Sequence, residues 1–181
     1  MAQTPSEMIP LQTMMPEFSL ADAHGKTWEP SSDSKGTLII FMCNHCPFVI
    51  HVASILEEIH TMCALTHIHM IGINSNDIQS YPDDSPKNMI STAKEYNWTF
   101  PYLFDAEQTV AKAFQATCTP DVFMYDAKNQ LYYRGQFDDS RPSNGVADGQ
   151  DLTNAVNAMI EGQRSPADQK PAIGCSIKWK K

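Results

Sequence analysis

Short apolar runs bounded by turn residues occur at Thr37–Met42, Ile68–Asn74, Val122–Asp126 and Leu131–Gly135, and each predicts a strand. The last two are joined by Ala127-Lys128-Asn129-Gln130, short enough for an antiparallel hairpin. Phe48, Val49, Val52, Ile55, Leu56 and Ile59 recur at three- and four-residue spacing, which predicts a helix with one apolar stripe suited to packing on a sheet. Capping residues predict further helices after Ser85-Pro86, after Asp105 and after Asp151, with Asp105 and Gln108 resembling a capping box. Strands that alternate with helices after a short N-terminal hairpin around His24-Gly25 imply an α/β fold. Its central sheet should be mixed, mainly parallel and flanked by helices. From Gln163 onward Pro166, Pro171 and Gly174 predict an irregular tail lying against the body. The chain therefore reads as one domain, 1–181, with an N-terminal arm over 1–15 and a packed C-terminal tail over 163–181.

Composition agrees with a single globular unit: 181 residues, 42% hydrophobic and 19% charged. A net charge of −8, with arginine only at Arg134, Arg141 and Arg164 and no basic run, excludes a phosphate-tracking surface for nucleic acid or anionic membrane. Small molecules or proteins are the expected partners. The stretch from Met1 to Phe18 carries Pro5, Pro10 and Pro16 and no basic segment leading into an apolar core, so it reads as neither signal peptide nor membrane helix. The expected location is the cytoplasm. In that reducing setting five cysteines, an odd number, do not suggest a structural disulfide framework; a close pair points to catalysis or metal binding.

Such a pair exists where the first core strand ends: Cys43-Asn44-His45-Cys46-Pro47. Proline is favoured at the first helical position and costly further inside, so Pro47 makes Cys46 the N-cap and leaves Cys43 in the loop. Unpaired N–H groups and the positive end of the helix dipole stabilise a thiolate at that position. Cys46 is therefore the expected nucleophile, Cys43 the expected resolving thiol, and a partial positive charge on His45 would help either sulfur.

The order of elements, with Cys43-Asn44-His45-Cys46 after the first core strand and Thr119-Pro120 just before the hairpin, resembles the thioredoxin fold. Met15-Pro16-Glu17-Phe18-Ser19-Leu20, followed by Asp22 and Gly25-Lys26, is similar to the opening of alkyl hydroperoxide reductase and thiol-specific antioxidant proteins. Together with Ile73-Asn74-Ser75-Asn76-Asp77, Cys118-Thr119-Pro120-Asp121, Asp138-Asp139-Ser140-Arg141-Pro142 and Ile173-Gly174-Cys175-Ser176-Ile177-Lys178-Trp179, the motifs resemble a peroxiredoxin-like family of the thioredoxin superfamily. The resemblance implies a three-layer thioredoxin-like fold, a cis peptide at Pro120, and a substrate groove shaped by Pro120 with Thr119. It also implies a thiol-disulfide oxidoreductase that needs no cofactor, acts on a protein or small-molecule disulfide or an oxidised thiol, and draws electrons from an unidentified thiol reductant. A homodimer stays open.

The chain departs from better-known relatives. Counted from Phe41, Cys46 falls at the position of thioredoxin's first cysteine and Val49 replaces the second. Ile40 stands where thioredoxins carry a buried carboxylate and His45 where they carry tryptophan, so proton transfer must use another group, for which His45 is the nearest. In an alternative register Cys43 attacks, as in strongly oxidising periplasmic disulfide donors. A peroxidase would have a proline and a Thr or Ser seven and three residues before its cysteine. Those positions hold Ile39 and Cys43 for Cys46, or Gly36 and Ile40 for Cys43. A zinc or copper site is the other alternative, with Cys43 and Cys46 at ligand spacing and His45, Cys118 and Cys175 available to complete it.

Cys118 and Cys175 are further redox candidates: an exposed Cys118 would face the helix N-terminus, and a tail cysteine after Gly174 is a possible second resolving thiol. Cys63 reads as a buried inert thiol. His51, His60, His67 and His69 read as surface residues, and Asn74, Asn76 and Asp77 as caps of a turn. Asp138, Asp139 and Arg141 are expected to tie a loop together through an ion pair.

Overall fold

In the computed structural model, which describes residues 3–29 and 33–181, the chain runs β1 (Gln3–Pro5), β2 (Leu20–Ala21), β3 (Thr27–Trp28), β4 (Gly36–Phe41), α1 (Pro47–Leu65) and β5 (Ile68–Asn74). A short 3-10 turn (Pro82–Asp84) leads into α2 (Pro86–Glu95), β6 (Tyr102–Phe104) and α3 (Thr109–Phe114). Then follow β7 (Cys118–Thr119), β8 (Asp121–Asp126), β9 (Leu131–Tyr133), α4 (Gln150–Ile160) and β10 (Ile173–Ser176). The first two residues of the arm expected over 1–15 lie outside the described residues.

Five strands form the central sheet in the order β6-β5-β4-β8-β9. β4 pairs parallel with β5 and antiparallel with β8, β6 is parallel to β5, and β9 closes an antiparallel hairpin on β8. The sheet is mixed. β4 is buried along its whole length, as a central strand covered on both faces must be. Its alternate side chains divide between two cores. Leu38, Ile40 and Met42 pack with Val49, Val52 and Leu56 of α1, Met89 of α2, and Leu152 and Val156 of α4. Ile39 and Phe41 pack with Val110 and Phe114 of α3 on the opposite side, joined there by the N-terminal Ile9, Met15 and Phe18. The result is the three-layer thioredoxin-like α/β fold, with β2 and β3 as its N-terminal hairpin. By length and hydropathy α1 qualifies as a membrane span, but its buried stripe of Val49, Val52, Ala53, Leu56, Ile59 and Cys63 belongs to the sheet-facing core.

Two local expectations need amending. The tail is irregular only to Ala172; β10 then pairs antiparallel with β1 on one edge and β7 on the other, setting Cys175 opposite both Gln3 and Thr119. Gly174 makes this approach possible, because a Cβ there would sit 2.1 Å from the Thr119 carbonyl oxygen, a backbone atom that cannot swing aside. The expected capping box also does not close. Asp105 does cap α3, accepting from the Ala111 N–H at 2.9 Å, but Gln108 reaches instead to the Ser75 and Lys178 carbonyls at 2.7 and 2.8 Å and so fastens the tail.

Candidate active site

Cys46 is the N-cap of α1 and Pro47 its first residue, as the sequence requires. The Cys46 and Cys43 thiols are buried together beneath β7. Cys46 Sγ lies 3.0 Å from the Thr119 carbonyl oxygen, and Cys43 Sγ 3.6 Å from the Thr119 hydroxyl. The Thr119-Pro120 peptide is cis. That carbonyl accepts a hydrogen bond from the Cys46 thiol and so opposes ionisation, yet the donors outweigh it. The Cys43 thiol is the largest influence; burial opposes it, and Thr119, Cys175 and the Val49 N–H add to it, bringing Cys46 down to about 5. The Val49 N–H contributes without closing a full capping hydrogen bond. The Cys43 thiol moves the other way, raised well above its ordinary value because it donates to Cys46, is buried and faces the Asp84 charge. One sulfur is thus poised as an anion, and its neighbour keeps the proton.

A residue that sequence reasoning passed over holds the other side of the site. Asp84, at the end of the 3-10 turn, is fully buried. Its carboxylate accepts from the Asn44 N–H at 2.8 Å and the Asn76 side-chain amide at 2.7 Å, and lies 2.7 Å from His45 Nδ1. Its backbone carbonyl accepts from the Asn74 amide at 2.7 Å. Asn74 and Asn76 therefore do more than cap a turn: they fix a carboxylate beside the cysteine loop. Asn44 ties that loop further, donating to the Asp83 carbonyl and accepting from the Tyr102 hydroxyl. His45 stacks flat on Tyr81 at 5.7 Å.

The Asp84 contact raises the pKa of His45 above its ordinary value against the opposing effect of burial. Burial alone would raise the Asp84 carboxyl, but His45 and Asn76 outweigh it and hold it below the usual carboxylate range. Asp84 thus sets a buried carboxylate beside the cysteine loop, on a different element from Ile40. Stabilisation by the raised histidine is present below its unfolded pKa and lost as pH rises through the higher folded value; that from Asp84 is lost as pH falls through its depressed pKa. In Asp84→Asn the His45 midpoint is expected to fall, read by NMR titration of the imidazole. An unchanged midpoint would show that the carboxylate does not set it.

The remaining candidates separate. Cys175 faces the cluster from β10 and interacts directly with Cys46; burial, then Cys46, push its own thiol up to about 12. Cys118 is fully buried, its thiol directed to the Pro120 carbonyl at 3.7 Å, and burial with the Asp121 charge raises its pKa far above the ordinary value. The condition set for it, exposure, is not met. Cys63 is buried and pushed up to about 12 by burial alone. The loop cluster forms differently from expectation: Asp138 caps the Ser140, Asp148 and Gly149 N–H groups, Asp139 pairs with Lys170, and Arg141 binds the Gln136 side chain and the Asp138 and Ser140 carbonyls. Arg134, in turn, is buried against Asp121, immediately after the cis-proline.

The architecture recurs in solved structures. A hypothetical protein from Sinorhizobium meliloti superposes with a TM-score of 0.95 at 42% identity over 98% of both chains. An uncharacterized conserved protein from Geobacillus kaustophilus gives 0.94 at 44% identity, over 99% of this chain and 97% of that one. A secreted Mycobacterium tuberculosis disulfide oxidoreductase homologous to E. coli DsbE shares the fold at a TM-score of 0.61 and 19% identity, over 78% of this chain and 96% of its own. No curated protein matches the sequence. The AhpC/TSA family model matches residues 11–134, spanning the hairpin, the cysteine loop, the cis-proline and the strands through Arg134, and the chain belongs to that family.

Proposed function

We propose that the chain is a thiol-disulfide oxidoreductase in which Cys46 attacks and Cys43 resolves. The observation that carries this reading is the meeting of the Cys46 and Cys43 sulfurs against Thr119 at the start of α1, with the Cys46 thiol pulled down and the Cys43 thiol pushed up. Cys46 thiolate attacks one sulfur of a disulfide, forming a mixed disulfide and releasing one thiolate. Bond formation removes the negative charge that held the Cys43 proton. Cys43 then loses that proton to the adjacent His45–Asp84 pair and attacks the Cys46 sulfur, releasing the second thiolate and leaving a Cys43–Cys46 disulfide. Two electrons pass from the protein to the substrate, and an external thiol reductant restores the dithiol. Thr119 and Pro120 flank the sulfurs and shape the approach.

Peroxidase chemistry would need donors that polarise a peroxide. Arg134 is spent on Asp121 and Val122, and Arg141 on Gln136 and two carbonyls. Stopped-flow mixing of the reduced protein with glutathione disulfide and with hydrogen peroxide separates the two. Exchange that is lost in Cys46→Ser, with slow peroxide consumption, is the expected result; peroxide loss at peroxiredoxin-like rates, abolished in Cys46→Ser, would overturn it.

A metal-binding reading has one specific observation in its favour: donor atoms of Cys43, His45 and Asp84 lie within 4.8 Å of one another. The Asp84 oxygens, however, already accept from Asn44 and Asn76 and contact His45, so a metal would have to displace bonds that hold the loop. Elemental analysis after chelator-free purification is expected to find less than stoichiometric zinc or copper.

A further inference from the structure

β10 occupies the edge of β7 that lies beside Cys46. Extended peptides are recognised by adding a strand to a sheet edge, with main-chain bonds setting the register and side chains filling pockets. The strand bearing Thr119, whose carbonyl touches Cys46, offers such an edge, and β10 already pairs along it in antiparallel register, Cys175 opposite Thr119 and Ser176 opposite Cys118. Gly174 brings this strand onto the Thr119 backbone more closely than a Cβ permits. β10 is itself backed by β1, so a peptide cannot pair on this side of β7 without displacing a paired strand. In this register Cys175 is set opposite Thr119, whose carbonyl lies 3.0 Å from the Cys46 sulfur, and its own thiol interacts with that sulfur.

We propose that Cys175 is a second disulfide partner of Cys46, carried on a strand of the chain itself that takes the place of an extended substrate. The proposal rests on Cys46 being the nucleophile, as above. When a disulfide RS–SR has capped Cys46 and released one RS⁻, the Cys175 thiol gives up its proton to solvent base and attacks the Cys46 sulfur. The Cys46–S–SR bond breaks, the second RS⁻ leaves, and a Cys46–Cys175 disulfide forms; the two electrons again reside on the released thiolates. Cys43 and Cys175 thus compete for one mixed disulfide. The Cys175 product has a property that the Cys43 product lacks, because it fastens the C-terminal strand covalently to the start of α1.

The test uses full-length Cys43→Ser protein, fully reduced and held without oxygen, with one equivalent of an aromatic disulfide that releases coloured nitrothiobenzoate. The expected result is two thiolates released per disulfide, the second at a rate independent of protein concentration, and a Cys46–Cys175 cross-linked peptide in the mass map. In Cys43→Ser/Cys175→Ser release should stop at one thiolate, with Cys46 left capped; if that variant fails to fold, the single variant's mass map decides alone. Cys43→Ser protein that stops at one thiolate with Cys46 stably capped, or that links Cys46 to Cys118, would overturn the proposal and leave Cys46 as nucleophile intact. A Cys46 that takes up no label at all would overturn both readings.

Discussion

Alkylation of Cys46 by iodoacetamide is expected to follow a titration with a midpoint of about 5 in the wild type, and Cys43→Ala should move that midpoint upward. Only the thiolate reacts, so wild-type reactivity is complete near neutrality and falls as pH drops through the midpoint. Removing the Cys43 thiol removes the largest influence that favours the anion. Burial and the Thr119 carbonyl, both of which favour the protonated sulfur, then carry more weight. Each unit of upward shift costs about tenfold in thiolate fraction below the new midpoint. A rate–pH profile with the reacted site assigned by peptide mass gives the answer. Unchanged midpoints in the two proteins would mean that Cys43 does not set the acidity.

The same ionisation ties reactivity to stability. Between the folded value of about 5 and the ordinary thiol value of 9.0 the unfolded chain holds a proton that the folded chain does not. Folding therefore gains as pH rises through this window, and the gain is lost as pH falls through the folded pKa. Cys46→Ser, which has no such ionisation, should show a shallower rise in chemical stability across it.

The largest loss of stability is expected for Arg134→Met. Arg134 and Asp121 are both fully buried and joined by two hydrogen bonds. The guanidinium also donates to the Val122 carbonyl at 3.1 Å and lies 3.8 Å over the Phe123 ring. Asp121 further accepts from the Thr117 N–H at 3.0 Å, so the pair clamps the strand ends on either side of the cis-proline. Removing one partner leaves an uncompensated buried charge, which costs about 3–5 kcal/mol. For a chain of this size that corresponds to a fall in Tm of roughly 6–20 °C. Thermal and urea unfolding followed by circular dichroism should show it, and Asp121→Leu/Arg134→Met should recover most of the loss because no lone charge remains. A single variant within about 1 kcal/mol of wild type would contradict the assigned role.

Arg134 also illustrates how far the sequence can be read. Nothing near it distinguishes a buried arginine from a solvated one at the end of a strand, because its partner, Asp121, begins the strand before its own. Asp84 is hidden in the same way: in Tyr81-Pro82-Asp83-Asp84-Ser85 it looks like a solvated turn residue. The three donors that hold it come from Asn44, His45 and Asn76. β10 gives no periodic signal, being four residues with a glycine inside and a proline shortly before, and it exists because β1 and β7 pair with it.

What the sequence by itself determined is local. Pro47 places the helix start at Cys46, a short apolar run bounded by turn residues marks β4, and the apolar stripe of α1 chooses the side that packs on the sheet. Each depends on neighbours within a turn or two of chain, where propensity and spacing act directly. Which groups meet around the cysteine pair was decided by tertiary structure alone. Cys175, Thr119 and Asp84 arrive on a terminal strand, the short β7 and a 3-10 turn whose meeting depends on sheet edges pairing across the whole chain, and such pairing leaves no mark on the residues adjacent in sequence.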